Sequence, residues 1–457
     1  MIPEGVTAGF VDSAQKMKIN LNDKTVGGFN YEFLRCVSAQ GAGAAELGEC
    51  IETMGRVKRN DFGSWADEWG GTADRAAAYA KQLQSAGDNV GAKKAFLRAS
   101  NYYRAACSYA HHSDPRHRDY WQKSKDAFRL MTYLSEREIE HIEIIFDKSA
   151  LPGYFIPSGT ENGPTLIAIG GFDSAAEEIY YLIGSEAASY GWNCLIFDGP
   201  GQWGALMDNP GLVFCPDYEK PVGAAVDYLV ARNDTDVGKI AIIGYSMGGY
   251  FSVRGAFDER IKACVANPLI VDCGALAKAR LKILAKMKNE ALADRLLKAA
   301  MKIYAPARRA FSHSSWALGI KTAAEWVKAY DKFTLRGFEN MLDGKKMLFM
   351  FGEDDIADAA AADKSIISGL PDYIRSLKCE KYIKLFPKPE GASGHCQLGG
   401  LPYAHAAVFG WLWHVFSESG EIQPSGDADR FAALFMKYGG AEASAKAKDL
   451  LNEVTFI

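Results

Sequence analysis

At 457 residues, 48% of them apolar and 24% charged, the chain has the length and composition of a globular protein large enough for two domains. Its formal net charge of −4 provides neither a basic footprint for nucleic acid nor a polybasic patch for a membrane. No apolar run reaches the roughly 18 residues of a transmembrane span, and Met1–Gly5 lacks the basic start and apolar stretch of a secretory signal, so a cytoplasmic protein is expected.

Residues 1–135 read as helical. Amphipathic, Ala-rich stretches cover Ala44–Val57, Thr72–Ser85 and Val90–Tyr109, and Asp114-Pro115 opens another over Arg118–Leu134. The pattern changes near residue 138. Ile139–Ile144 largely alternates apolar with polar, as a half-buried strand does, and Pro152–Pro157 can return as its hairpin partner. Short apolar runs follow at Thr165–Ile169, Asn193–Phe197, Ile240–Ile243, Ala263–Ala266, Met347–Phe351 and Tyr382–Phe386. Helical stretches such as Ala175–Ala188, Pro221–Ala231 and Tyr250–Phe257 lie between them. This alternation predicts an α/β fold with a mostly parallel, doubly wound sheet covered on both faces. Residues 136–457 therefore form one predicted domain, interrupted over about 272–343 by a helix-only, Lys- and Leu-rich insertion. Lys278–Lys302 reads as a solvated helical face rather than a surface for an anionic partner. The tail after Ser417 is polar and then weakly helical.

The chemistry concentrates at Gly244-Tyr245-Ser246-Met247-Gly248, which follows the run Ile240–Ile243 and precedes a helical stretch. Strand, sharp turn and helix around G-x-S-x-G form the context of a nucleophile elbow, where glycines leave room for a strained turn that presents the serine. A serine nucleophile needs a base and a carboxylate to orient it, and in α/β-hydrolases these follow in the order Ser, Asp or Glu, His. Gly352-Glu353-Asp354-Asp355 follows the run Met347–Phe351, at the edge where open α/β sheets build their sites. Asp355 is the preferred acid, three residues past the glycine, and Asp354 is the alternative. Three histidines follow: His405 and His414 fall in a helical pattern beside Trp411 and Trp413, whereas His395 lies in the loop Gly391–Gln397 and is the predicted base. Phe172, in Gly170-Gly171-Phe172-Asp173-Ser174, and Met247 are the predicted backbone N–H donors of an oxyanion hole.

Other features carry less. Asp198-Gly199-Pro200-Gly201-Gln202 reads as a structural turn at the same sheet edge. Glu177-Glu178 is either a second acid near the site or a first-turn pair favoured by the helix dipole. His111, His112 and His117 lack the carboxylate or Cys spacing of a metal site, and no phosphate or dinucleotide loop is present, so no metal or cofactor is expected. The nine cysteines show no C-x-x-C spacing and are read as reduced thiols. Cys194 and Cys264 are small core residues, and Cys396 stands out only because it adjoins His395. Trp65, Trp69, Tyr102, Tyr103 and Trp121 either line an apolar pocket or form a core stripe.

Together these motifs, with Trp65-Ala66-Asp67-Glu68-Trp69 and Phe96–Arg104, resemble one branch of the α/β-hydrolases over most of residues 60–415. The branch includes the carbon–carbon-cleaving 2,6-dihydroxypseudooxynicotine hydrolase and fungal polyketide-shortening hydrolases. The resemblance implies an N-terminal helical cap domain, a triad of Ser246, Asp355 and His395, a homodimer, and no cofactor. It also implies an aromatic ketone or polyketide substrate whose C–C bond is cleaved next to a carbonyl; the site residues themselves suit an ester-like bond as well. Trp203 departs from the pattern, which commonly has glycine there, and the residues after Asn267-Pro268 do not match the nicotine enzyme. Two other readings use the same residues: a condensation or cyclisation through His395 and the oxyanion hole, and a catalytically silent scaffold.

Overall fold

The computed structural model describes residues 29–303, 305–417 and 424–457. They fall into two compact units, one ending at Ser135 and including 301–310, the other comprising 136–300 and 311–457. The part of the predicted helical domain before Phe29 lies outside the described residues.

The first unit is built of helices Phe29–Ser38, Leu47–Arg56, Phe62–Ser85, Asn89–Cys107 and Pro115–Tyr133. Aspartates start three of them: Asp61, Asp88 and Asp114 accept hydrogen bonds from the amides of Ser64, Gly91 and Arg116 at 3.0, 2.8 and 2.9 Å. The helix from Phe62 begins ten residues before the expected Thr72, because Trp65, Ala66, Trp69 and Gly70 already face inward. Trp65 stacks on Phe29 at 4.8 Å and donates its indole N–H to Ala105 O at 2.7 Å. Trp65, Trp69, Tyr102, Tyr103 and Trp121 are all buried, so this aromatic stripe is the core of the unit.

The second unit carries a nine-stranded sheet in the order β1-β2-β4-β3-β5-β6-β7-β8-β9. Its strands are β1 Glu140–Phe146, β2 Ser149–Ile156, β3 Gly163–Ile169, β4 Asn193–Phe197, β5 Thr235–Tyr245, β6 Ile261–Asn267, β7 Lys346–Gly352, β8 Glu380–Phe386 and β9 Thr455–Phe456. The β1–β2 hairpin is antiparallel, as expected, and β2 pairs antiparallel with β4; every later pairing is parallel. All five residues of β4 are buried, which explains their unbroken apolar run. The tail is helical, as expected, but it also packs into the core and ends in a strand that the sequence does not announce. Helices Asp427–Gly439 and Ala441–Leu450 pack Phe431, Phe435 and Leu450 inward, and β9 then extends the sheet edge. Two residues of strand have no period to read, so pairing rather than pattern defines β9.

Among its described residues the insertion carries helices Cys273–Arg280, Lys282–Ala285, Glu290–Ile303, Ala305–Ala317 and Ala323–Ala329, and no strand. Its stem is closed by backbone bonds from Cys273 N to Phe333 O (2.9 Å) and Leu335 N to Val271 O (2.8 Å). Lys282, Lys286, Lys288, Arg295, Lys298 and Lys302 are exposed. Among the described residues no helix is long and apolar enough to cross a membrane.

Candidate active site

At the C-terminal end of β5 the chain turns sharply into the helix Gly248–Gly255. Ser246, at the apex, has φ +58°, a left-handed conformation costing on the order of 1–3 kcal/mol. Steric crowding explains the glycines. A Cβ on Gly244 would stand 1.7 Å from Gly248 O, one on Gly248 2.7 Å from Gly170 O, and one on Gly249 1.9 Å from Pro268 O. The turn is closed by Ser246 N donating to Asn267 O at 2.7 Å and Gly249 N donating to Ser246 O at 2.9 Å.

The loop after β8 brings His395 to this serine. His395 Nε2 lies 2.8 Å from Ser246 Oγ, and His395 Nδ1 lies 2.6 Å from Asp355 Oδ1. A carboxylate at Nδ1 fixes the tautomer with hydrogen there, which leaves Nε2 as the acceptor facing the serine hydroxyl. Two residues after the histidine, Cys396 and Gln397, have φ +57° and +54°, so the loop coils tightly. It is stitched to the ends of two strands: Asn267 Nδ2 donates to Gln397 Oε1 at 2.6 Å, and Asp354 N donates to Ser393 O at 3.1 Å. Asn267 thereby holds both the backbone of Ser246 and the loop of His395. Cys396 is buried, its thiol 3.9 Å from Asn267 O.

The acidic run after β7 forms the first turn of the helix Glu353–Ala362, and its three carboxylates point three ways. Asp355 meets His395. Asp354 accepts from Ser393 Oγ at 2.7 Å and pairs with Lys388 Nζ at 3.1 Å, which anchors the histidine loop. Glu353 is buried and accepts from Lys388 N, Lys437 Nζ and Tyr438 OH. Burial opposes its ionisation, but these three donors prevail and hold its carboxyl below the usual range.

Gly171 packs against the elbow, where an added Cβ would lie 2.7 Å from Ser246 Cβ and 3.1 Å from Met247 N. Met247 thus follows the serine directly, and Phe172 follows the glycine that packs against it. Two residues that the sequence reading did not select hold this loop. Gln202, fully buried, donates from Nε2 to Gly170 O at 2.7 Å and Gly171 O at 3.3 Å, while its Oε1 accepts from Gly199 N and Tyr218 OH. Its turn was read as structural; its side chain reaches the loop beside the serine. His313, from the helical insertion, donates from Nε2 to Phe172 O at 2.8 Å, and its ring meets the Phe172 ring edge-on at 4.6 Å. No local signal marked it, since a lone histidine in a helical run is ordinarily a packing residue.

The remaining candidates lie elsewhere or play other parts. Glu177 and Glu178 lie in the first turn of the helix Ala176–Ile179, as the first-turn reading expects; both are buried, and Glu177 accepts a hydrogen bond from Tyr154 OH on β2. Burial first, then the Glu177 charge, pushes the Tyr154 hydroxyl well above its usual pKa. His405 is buried and donates to Leu182 O at 2.5 Å, and His414 faces Tyr382. His111 and His112 lie against one another in the first unit, with ring centroids 4.1 Å apart, and His117 is buried there. Among the described residues no three His, Cys, Asp or Glu side chains gather as a metal site.

Comparison with known proteins gives the same fold. A sequence model described as "Alpha/beta hydrolase family" matches residues 169–409. The chain is 30% identical over 414 residues to 20-hydroxy-prefusarin hydrolase FUS2 of Gibberella moniliformis, covering 85% of this chain and 96% of that protein. It is 29% identical over 413 residues to hydrolase LUC6 of a Fusarium species, covering 85% and 96%. Among solved structures, 2,6-dihydroxy-pseudo-oxynicotine hydrolase matches with a TM-score of 0.64 at 17% identity, over 85% of this chain and 98% of that one. At that identity the likeness is one of fold. The motif resemblance read from the sequence therefore stands, and the chain belongs to the alpha/beta hydrolase family as one of its enzymes.

Proposed function

We propose that this enzyme is a serine hydrolase acting on a carbonyl in a bulky aromatic ketone or polyketide-like small molecule. The observation that carries the reading is the continuous hydrogen-bonded line from Ser246 Oγ through His395 to Asp355, at 2.8 and 2.6 Å. In this reading His395 takes the hydroxyl proton as Ser246 Oγ attacks the carbonyl carbon, and Asp355 stabilises the imidazolium that forms. The oxygen gains charge facing the Phe172 and Met247 amides. Collapse of the tetrahedral species breaks the bond to the leaving group, which departs with the proton from His395. Water, deprotonated by the same histidine, then releases the acyl group from the serine. Carbon is a poor leaving atom unless it departs as an enol or a phenol-stabilised carbanion, so a C–C substrate would be a 1,3-dicarbonyl or a phenolic ketone; an ester meets the same machinery. The length-spanning similarity to 20-hydroxy-prefusarin hydrolase supports a small natural product as the substrate. A homodimer belongs to the same reading, and a solution mass of twice 49.9 kDa would support it.

The test is labelling with a fluorophosphonate followed by peptide mapping, alongside turnover of an activated ester and an aryl 1,3-diketone. The adduct is expected on Ser246, and Ser246→Ala should lose turnover by roughly 10⁴-fold or more. Turnover that survives Ser246→Ala but not His395→Ala would replace hydrolysis by enolate chemistry on the same edge.

A further inference from the structure

We propose that His313 of the helical insertion is a positioning residue for the oxyanion hole, locking the peptide that follows Phe172 while Gln202 locks the two that precede it. The inference rests on the serine-hydrolase reading and adds a residue to it.

The argument is an inventory of three consecutive peptide planes. Each trans peptide is rigid, with its C=O and N–H pointing in opposite directions, so fixing one fixes the other. In the plane joining Gly170 to Gly171, the carbonyl accepts from Gln202 Nε2 at 2.7 Å and the N–H donates to Ser174 Oγ at 3.0 Å. In the plane joining Gly171 to Phe172, the carbonyl accepts from the same Gln202 nitrogen at 3.3 Å, leaving the Phe172 N–H on the opposite side. In the plane joining Phe172 to Asp173, the carbonyl accepts from His313 Nε2 at 2.8 Å. Phe172 is thus held on both sides. Gln202 governs the plane that carries its N–H, and His313 governs the plane across the only other soft torsion of the residue. Two glycines precede Phe172, and glycine restricts its own torsions least of all residues, so these ties supply restraint that the local sequence does not.

His313 is itself held. The half of its helix that belongs to the second unit is anchored by Phe214 N donating to Ala317 O at 2.9 Å and by Trp326 Nε1 donating to Ser314 Oγ at 2.9 Å. The Phe172 ring sits among His313, Phe214 and Tyr330, at centroid separations of 4.6, 5.8 and 6.2 Å. Because its partner is a carbonyl oxygen, Nε2 must carry hydrogen, and it does so in both the neutral and the protonated ring. The tie therefore does not depend on the charge of His313.

The experiment compares His313→Ala and His313→Gln in the full-length protein, with p-nitrophenyl butyrate as substrate and a fluorophosphonate as probe. Attack on either builds charge on an oxygen facing the Phe172 amide. His313→Ala is expected to lower kcat roughly ten- to a hundredfold, below the cost of deleting an oxyanion donor outright. KM should change less than about threefold, since only the transition state carries the charge. Fluorophosphonate labelling should slow by a similar factor. His313→Gln, whose amide nitrogen can occupy the place of Nε2, should recover most of the loss. An unchanged kcat in His313→Ala, a rise in KM alone, or a glutamine variant no better than alanine would each overturn the proposal. Ser246→Ala, measured in parallel, separates the two levels. Full activity there removes the serine-hydrolase reading itself, whereas an inactive Ser246→Ala beside an unimpaired His313→Ala removes only the role of His313.

Discussion

Two loops meet at Ser246 and are held in opposite ways. The elbow at 244–249 is held by the absence of side chains: three glycines sit where any Cβ would strike backbone oxygen at 1.7 to 2.7 Å. The loop at 170–172 is held by the presence of side chains: Gln202, Ser174 and His313 tie carbonyls and an amide that glycine alone would leave loose. The first kind of restraint is steric and tolerates no substitution. The second is a set of hydrogen bonds, each worth about 1 kcal/mol net, and should degrade in steps.

The largest effect expected from this contrast is at the elbow. Gly244→Ala forces a methyl group from β5 into Gly248 O, a backbone atom at the start of the following helix that cannot swing aside as a side chain would. The turn must open, at a cost above roughly 4 kcal/mol or with loss of folding. Denaturant unfolding monitored by intrinsic fluorescence reads this directly. A variant with wild-type stability and activity would mean that the elbow is far less crowded than these contacts require.

The next effect separates two adjacent carboxylates. Asp355→Asn should lower kcat by roughly 10⁴-fold, because the amide no longer favours the imidazolium or the required tautomer. Asp354→Asn retains an acceptor for Ser393 Oγ, loses the charge facing Lys388, and should cost less than about tenfold. Equal losses would mean that the loop anchor and the partner of His395 are not distinct.

The same contrast explains what was legible in the sequence. Steric requirements write themselves locally: a G-x-S-x-G between an apolar run and a helix announces an elbow, and Gly170-Gly171 after β3 announces a close approach. His395 is the candidate base by elimination, because His405 and His414 fall in a helix pattern, and both lie in the helix Leu401–Phe416. Hydrogen-bond restraints between distant segments leave no such trace. Gln202 lies 31 residues from Gly171, and His313 lies 141 residues from Phe172, so nothing in either neighbourhood marks its partner. The early start of the helix at Phe62 and the two-residue β9 were missed for the related reason that tertiary contacts, not periodicity, define them.

Ser174→Ala is a smaller step in the same series. It removes the acceptor for Gly171 N, at 3.0 Å, and leaves Gln202 and His313 in place. The expected cost is a few-fold in kcat with little change in stability, consistent with one hydrogen bond out of several. A loss as large as that of His313→Ala would show that Ser174, not the insertion, supplies the decisive tie.

The two histidines on either side of residue 400 extend the comparison to pH. His395 sits at the sheet edge with a carboxylate bonded to it, whereas His405 is buried with a carbonyl bonded to it. Burial lowers the pKa of His405 below its ordinary 6.5, and the bond to Leu182 O and the Glu186 charge only partly offset this. The unfolded chain therefore binds the extra proton more readily than the folded one. Stability is unaffected well above pH 6.5 and falls as pH drops through that value toward the folded pKa, below which the loss levels off. His405→Gln, which retains a donor for Leu182 O without the titrating ring, should flatten this part of the Tm-against-pH curve, at whatever offset its packing change imposes. An unchanged slope below pH 6.5 would assign the acid sensitivity to other groups.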